Sequence, residues 1–148
     1  MGRQLIIGVD FDGTVVTHHF PKVGFEVPGA IATIRALQEN KHLVFLWTMR
    51  GYQDTYPRVL EDAKSFFRQK GIELDGINES PVQFSTSPKQ FANFYIDDSN
   101  LGTPLTRHKG YQVVNWELIA KELWEVGAIN RDQFEKIVNE VFKNLENE

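Results

Sequence analysis

Two aspartates separated by one residue follow the first apolar run of the chain. Asp10 and Asp12 come directly after residues 4–9, in the segment Asp-Phe-Asp-Gly-Thr. Like charges this close repel each other and raise one carboxyl pKa unless a cation neutralises them. Mg²⁺ is the natural cation here, because it prefers oxygen ligands and keeps coordination sites for water and phosphate oxygens. We therefore expect a magnesium site directly after the first strand.

A second acidic pair, Asp97 and Asp98, follows another apolar run at residues 94–96. It supplies further carboxylates for the same ion, so that two pairs distant along the chain would meet at one Mg²⁺. With the metal holding a phosphate, one carboxylate can attack phosphorus and form an aspartyl-phosphate while another moves protons. The expected metal ligands are Asp10, Asp12, Asp97 and Asp98.

Neighbouring residues supply the other groups that phosphate chemistry needs. Gly13 suits a tight turn in which backbone N–H groups face an anion. Thr48, at the end of the second apolar run, offers a hydroxyl to a phosphoryl oxygen. A lysine is also needed to offset developing negative charge. Lys89 is the first candidate, with Lys64 and Lys109 as alternatives.

Three more side chains near these segments have two possible roles each. Arg50 follows Thr48 by two residues and could clamp a substrate carboxylate or a second phosphate, since a guanidinium binds such groups in a bidentate manner. A surface ion pair is the other reading. His18 and His19 lie between the first strand and the first helix, either near the site or as exposed loop residues.

Apolar runs alternate along the chain with stretches of helical spacing. This alternation predicts βαβ units, and hence a single doubly wound, Rossmann-like α/β domain with a mainly parallel five-stranded sheet and helices on both faces. Ligands in such sheets bind at the carboxyl ends of the strands. Strands are predicted at 4–9, 43–47, 72–74, 94–96 and 111–114, and helices at 29–40, 57–70, 116–126 and from 131 onward.

Length and composition set the outer limits. The chain has 148 residues, enough for one domain. We assign residues 1–127 to that domain and 128–148 to an amphipathic helix that packs on the domain or on a partner subunit, which leaves a homo-oligomer open. No apolar run approaches the roughly 20 residues that span a bilayer, so no membrane partner is expected.

Charge and cysteine content exclude further classes. The net charge of −4 gives no general attraction to nucleic acid, which would enter only as a phosphorylated substrate. The absence of cysteine excludes disulfides, thiolate metal sites and a cysteine nucleophile, and it favours a cytoplasmic location.

The order of these segments resembles the haloacid dehalogenase (HAD) superfamily of phosphohydrolases. Asp-Phe-Asp-Gly-Thr, Leu-Trp-Thr, a lysine and Ile-Asp-Asp follow one another as its four motifs do, over residues 4–101. The resemblance implies a Mg²⁺-dependent phosphomonoesterase. Asp10 would be the nucleophile and a metal ligand, and Asp12 the general acid/base with its backbone carbonyl on the metal. The remaining implied roles are phosphoryl binding by Thr48 and Lys89, and Mg²⁺ binding by Asp97 with Asp98 as a second ligand or support. From their place beside these residues we expect substrate contacts by Gly13, Thr14, Met49 and Arg50.

Many members of that superfamily carry a cap domain between motifs. Here residues 15–47 and 49–88 have room only for short elements, which is similar to capless members with an open site. Such a site suits a phosphate on a large molecule, or a small metabolite enclosed by a neighbouring subunit.

Two alternatives remain at this stage. One is a receiver-like domain that keeps its phosphoryl group on an aspartate; in receivers, however, the first acidic pair is adjacent, whereas Phe11 separates Asp10 from Asp12. The other is a binding or structural protein that keeps the fold without turnover, because fold and motif do not guarantee activity.

Overall fold

The computed structural model describes residues 2–145. Strands and helices alternate in its first two thirds, and the chain ends with two helices. In the described part of the chain no helix is long and apolar enough to cross a membrane. The elements are β1 (Ile6–Val9), α1 (Ala30–Glu39), β2 (Leu43–Leu46), α2 (Val59–Gln69), β3 (Phe94–Ile96), β4 (Leu105–His108), β5 (Tyr111–Val114), α3 (Trp116–Glu125) and α4 (Arg131–Leu145).

A parallel sheet of three strands, in the order β2-β1-β3, lies at the centre. In its register Val9 pairs with Leu46 on one side and with Ile96 on the other. All four residues of β1 are buried, which requires cover on both faces of the sheet. This is why the first strand is an unbroken apolar run and does not alternate between polar and apolar residues.

The strands β4 and β5 form a separate antiparallel hairpin, so the predicted five-stranded sheet is not what the described residues form. The two residues between the strands, Lys109 and Gly110, both have positive φ (52° and 86°), as a tight two-residue hairpin turn requires. The sequence predicted β5 correctly. It missed β4, because Leu-Thr-Arg-His is three-quarters polar and exposed over its first three residues.

The strand predicted at 72–74 is absent from the described structure. The chain instead runs beside β2 a few residues later, where Ile77 forms one parallel bridge with Leu46. Gly76 explains why no regular strand forms there. A Cβ on it would lie 2.1 Å from the backbone oxygen of Glu79, so the backbone turns sharply at this point.

The helices α1, α3 and α4 pack against one another. At the start of α1, Gly29 has φ +88° and lies against Trp116 and Val141, where a Cβ would be 3.0 Å or less from both side chains. Ile137 of α4 is buried. The C-terminal helix therefore packs on its own domain over 131–145, and positions 1 and 146–148 of the predicted domain and helix lie outside the described residues.

The predicted helix ends are mostly right. Asn115 accepts a hydrogen bond from the N–H of Leu118, and Asn130 accepts one from Gln133, so both caps are confirmed. The helix predicted at 57–70 begins later, at Val59, with Arg58 as its N-cap, whose carbonyl accepts a hydrogen bond from the N–H of Asp62 (2.9 Å).

Candidate metal and phosphate site

Two acidic segments meet at the carboxyl ends of β1 and β3. Val9 and Ile96 are paired in the sheet, so the residues that follow them, Asp10 and Asp97, emerge side by side. The backbone N–H of Asp10 also donates to the carbonyl of Ile96 (2.9 Å). Because β2 lies on one side of β1 and β3 on the other, the strand order reverses at this point, where parallel sheets bind their ligands.

Three carboxylates converge there. One oxygen from each of Asp10, Asp97 and Asp98 lies within 4.8 Å of the other two. Burial, followed by the charge of Asp97, raises the pKa of Asp10 to about 8. Burial also raises the pKa of Asp97, with a contribution from Asp98. Since a divalent cation among these oxygens would remove the repulsion, the donor set fits Mg²⁺, which binds carboxylate oxygens.

Two residues of the first motif hold this cluster in shape. Thr14 is fully buried, and its Oγ1 donates to Oδ2 of Asp10 (3.1 Å) and accepts from the backbone N–H of Asp98 (3.1 Å). Gly13 has φ +82°, and a Cβ there would lie 2.3 Å from Oδ2 of Asp98. The structure thus places Thr14 behind the carboxylates. The N–H of Gly13 donates to the carbonyl of Val16 (2.7 Å), so this one N–H group of the turn is used within the protein.

Asp12 is not part of the three-carboxylate cluster, although it lines the same cavity. Its Oδ2 accepts from Nε of Arg50 (2.7 Å) and its Oδ1 from Nη2 (2.8 Å). Of the four predicted metal ligands, the structure brings the side chains of Asp10, Asp97 and Asp98 together and pairs the fourth with a guanidinium.

Arg50 is almost fully buried, with 1% of its surface exposed. Besides the two bonds to Asp12, its Nη atoms donate to the carbonyls of Pro21 (3.4 Å), Lys22 (2.8 Å) and Val59 (3.0 Å). A guanidinium has five N–H groups, and each of these has an acceptor in the protein. Arg50 therefore neither clamps a substrate nor forms a surface ion pair in this structure, because its donors are already used inside the protein.

Thr48 stands at the mouth of the cavity with a hydroxyl that can still donate. Its Oγ1 accepts a hydrogen bond from the backbone N–H of Arg50 (3.1 Å), and a hydroxyl keeps its own proton for another acceptor. Met49 is 98% exposed beside it. The cavity has a volume of about 470 Å³ and is lined by Asp10, Asp12, His18, Phe20, Thr48, Met49, Arg50, Gln53, Asp97, Asp98 and Ser99.

The predicted phosphate-binding lysine is elsewhere. Lys89 is exposed in the loop before β3 and lines a different groove with Phe84 and Phe91. The two alternatives are also engaged away from the cavity: Lys64 pairs with Glu61 (3.1 Å), and Lys109 lies over the ring of Phe25. None of the residues that line the cavity is a lysine.

Sequence reasoning left the two histidines open, and the structure separates them. His18 is exposed and lines the cavity. His19 does not line the cavity; its Nδ1 lies 2.9 Å from Oγ1 of Thr17, and its ring centroid lies 4.5 Å from that of Tyr111, with the two rings tilted by 52°.

Asn78 is a site residue that the sequence analysis missed. Its Oδ1 accepts from the N–H of Thr48 (2.8 Å), and its Nδ2 donates to the carbonyl of Arg50 (3.1 Å). It thereby holds the loop after β2 in place. Its φ of +53° is a conformation that asparagine tolerates better than most residues. The sequence alone does not distinguish Asn78 from the other turn residues of this loop.

Comparison with known proteins gives one informative match. No protein-family model and no curated protein matches the chain significantly. A solved structure described as the conserved protein coded by a locus of Bacteroides thetaiotaomicron is 32% identical in sequence, with a TM-score of 0.68. The match covers 84% of this chain and 93% of that one.

Proposed function

This chain belongs to the family of the conserved Bacteroides thetaiotaomicron protein, and we propose that it is a Mg²⁺-dependent phosphomonoester hydrolase acting through an aspartyl-phosphate on Asp10. The observation that carries the proposal is the convergence of Asp10, Asp97 and Asp98, at the point where the strand order reverses. Burying three carboxylates together is unfavourable without a cation, and catalytic sites are where such arrangements are retained.

The proposal also concerns the type of fold. The order β2-β1-β3, with α1 between β1 and β2, supports our proposal that these strands are the centre of a doubly wound, Rossmann-like sheet. We assign the chain to the capless type of the HAD superfamily, because α2 is the one regular element between β2 and β3 in the described range. Without a cap domain, the site of the enzyme would be open. The proposal keeps the cytoplasmic location expected from the sequence.

The residues that would hold Mg²⁺ are Asp10, Asp97 and Asp98. When bound, the ion would neutralise the carboxylates and the phosphoryl oxygens, and so allow an anionic nucleophile to approach an anionic substrate. Thr14 and Gly13 serve this arrangement indirectly, through their contacts with Asp10 and Asp98.

The chemistry then uses this chain's own side chains in two steps. A carboxylate oxygen of Asp10 attacks phosphorus; the bond between phosphorus and the leaving oxygen breaks, and that oxygen takes a proton from Asp12. Asp12 next removes a proton from a water molecule, whose oxygen attacks the phosphorus of the aspartyl-phosphate. The bond to Asp10 breaks, and inorganic phosphate leaves with Asp12 protonated again. In both steps the hydroxyl of Thr48 donates a hydrogen bond to a phosphoryl oxygen.

A second candidate is a Mg²⁺-dependent phosphate-binding protein without turnover. Two observations favour it: Arg50 engages both oxygens of Asp12, and no lysine lines the cavity. The hydrolase requires Asp12 to exchange its proton while Arg50 stays beside it, whereas the binding protein does not.

The deciding experiment measures hydrolysis of 4-nitrophenyl phosphate with Mg²⁺ and with EDTA, together with acid-stable labelling from radioactive substrate. We expect Mg²⁺-dependent turnover that is abolished in Asp10→Asn and retained in Asp132→Asn, a matched change of an exposed aspartate in α4.

Other outcomes point to the alternatives. A stable phosphoprotein without product release would favour a receiver-like acceptor. Binding of Mg²⁺ and phosphate without turnover or labelling would favour the binding protein. Full activity in Asp10→Asn would overturn the proposed nucleophile.

A further inference from the structure

The cavity contains no free positive charge for a second anionic group. Its lining has four aspartates and one guanidinium, so the side chains of fixed charge leave three negative charges when a bound cation keeps all four carboxylates ionised. The guanidinium of Arg50 has already given all its N–H groups to protein acceptors. A divalent ion would offset two of the three charges. Because it would also bind the phosphoryl group, it would leave no positive charge for a second anionic group.

Two apolar side chains, Phe20 and Met49, also line this cavity. Met49 is almost completely exposed at its edge, and Phe20 is 38% exposed. The ring of Phe20 is held edge-to-face by Tyr56, with centroids 5.6 Å apart, and it also lies 5.4 Å from the guanidinium carbon of Arg50. An aromatic ring and a flexible thioether in the lining of one cavity favour a ligand with a flat, apolar group.

Besides the carboxylates, Arg50, Phe20, Met49 and Thr48, the cavity is lined by Gln53, Ser99 and His18. Gln53 and Ser99 are neutral donors and acceptors that suit hydroxyl or amide groups on a ligand. His18 is the one histidine among these lining residues, so experiments on ligand charge include a variant at this position as a control. The cavity volume of about 470 Å³ is in the range that accommodates a small ring-bearing molecule.

We propose that the substrate is a phosphomonoester whose leaving group is neutral and carries a ring, and that the site disfavours substrates with a second anionic group near the ester. This inference rests on the proposed function and names its substrate class. It excludes bisphosphates, nucleoside diphosphates and phosphorylated carboxylic acids as preferred substrates. The physical cause is the unfavourable approach of a second anion to carboxylates that no free cation balances.

The test compares three phosphate esters with similar alcohol leaving groups. Benzyl phosphate is the reference, 4-carboxybenzyl phosphate adds one anion, and ethyl phosphate lacks the ring. With Mg²⁺ present, we expect kcat/KM to fall at least about tenfold for each change. An equal or higher kcat/KM for the carboxylated ester would overturn the charge argument, and an equal value for ethyl phosphate would overturn the ring argument.

Variants at one exposed position make the test specific to this cavity. Met49→Lys adds a cation at its edge and should raise kcat/KM for 4-carboxybenzyl phosphate relative to benzyl phosphate, whereas the neutral control Met49→Gln should not. His18→Gln should leave the discrimination between the two esters unchanged. If His18→Gln made discrimination appear or increase markedly, His18 would be supplying positive charge to the ligand and the proposal would be wrong.

A binding measurement separates this proposal from the proposed function. The non-hydrolysable benzylphosphonate and 4-carboxybenzylphosphonate are titrated by calorimetry into the Mg²⁺-loaded protein. Preference for benzylphosphonate over 4-carboxybenzylphosphonate, without any ester turnover, would refute the hydrolase and retain the ligand class. Turnover without discrimination would retain the hydrolase and overturn the ligand class, and binding of neither phosphonate without turnover would overturn both.

Discussion

Arg50 holds both carboxylate oxygens of Asp12, with Nε 2.7 Å from Oδ2 and Nη2 2.8 Å from Oδ1. The ion pair joins the loop after β1 to the loop after β2 and is largely buried, since the side chains are 1% and 13% exposed. The remaining N–H groups of Arg50 reach carbonyls of the segment before α1 and of the first residue of α2. One side chain therefore fixes the position of three segments around the cavity.

Arg50→Met should strongly destabilise the protein. It leaves the carboxylate of Asp12 and three carbonyls without their donor, and removing one partner of a buried ion pair costs about 3–5 kcal/mol. Urea unfolding measures the loss. The control is Lys64→Met, which removes the exposed ion pair with Glu61 and should cost less than about 1 kcal/mol. Similar losses for the two variants would contradict the structural role of Arg50.

Gly13→Ala should lower both stability and Mg²⁺ affinity. At φ +82° a Cβ is strained, at a cost of about 1–2 kcal/mol, and here it would also displace the carboxylate of Asp98. Gly127→Ala is the matched control, because φ is +80° and nothing lies within 4 Å of its added Cβ. We expect both variants to lose stability and only Gly13→Ala to lose Mg²⁺ binding by calorimetry. Unchanged binding in Gly13→Ala would mean that the clash is relieved without moving Asp98.

The sequence predicted the two halves of this site because each half is local. An apolar run that ends in acids marks the carboxyl end of a buried strand, and the pairing of β1 with β3 then brings Asp10 and Asp97 together. The partner of Asp12 could not be predicted in this way. The residue type does not show whether an arginine side chain is buried or exposed. Only the folded segments around Arg50 show that its N–H groups are used within the protein.

The lysine was the weakest prediction for a related reason. Its motif is a single residue type in a loop, without periodicity or neighbouring residues to fix its position. The predicted strand at 72–74 was wrong for a similar reason. Three residues of mixed polarity do not show whether the chain pairs with β2 there or a few residues later, at Ile77.

Thr14→Val should weaken Mg²⁺ binding while preserving side-chain volume. The valine cannot donate to Asp10 or accept from the N–H of Asp98, so two groups of the cluster lose their support. Changes in residues that support metal ligands typically cost about 10–100-fold in affinity. Thr14→Ser keeps the hydroxyl and is the control, with affinity expected close to that of the wild type. Equal affinities for all three proteins, measured by calorimetry, would remove Thr14 from the site's support.

Asp10→Asn should stabilise the metal-free protein at alkaline pH. Burial and the charge of Asp97 raise the pKa of Asp10 to about 8, against 3.8 for the ordinary group. Between these values the unfolded chain has lost a proton that the folded protein keeps, so stability falls as pH rises from about 4 to 8. In EDTA the Tm of Asp10→Asn should therefore exceed that of the wild type by more at pH 8 than at pH 5. A constant difference across this range would show that Asp10 does not titrate as described.

Addition of Mg²⁺ should shift this comparison of Tm values in favour of the wild type. Bound metal favours the ionised carboxylates, so the Tm of the wild type should rise with Mg²⁺ concentration at pH 8, while that of Asp10→Asn should rise less. The comparison needs no turnover, and it tests the metal site separately from the proposed hydrolysis. An equal rise in both proteins would place the bound ion away from Asp10.

Lys89→Ala should leave Mg²⁺-dependent hydrolysis within about twofold of the wild type, because a residue that does not touch the substrate contributes little to transition-state binding. Lys89 lies in a groove with Phe84 and Phe91, and it is not among the residues that line the cavity of Asp10. The comparison variant is Thr48→Val, which removes the hydroxyl at the cavity mouth and should lower kcat/KM by more than about tenfold. A large loss in Lys89→Ala would show that the loop before β3 carries this lysine into the site when substrate binds, as the motif order first suggested.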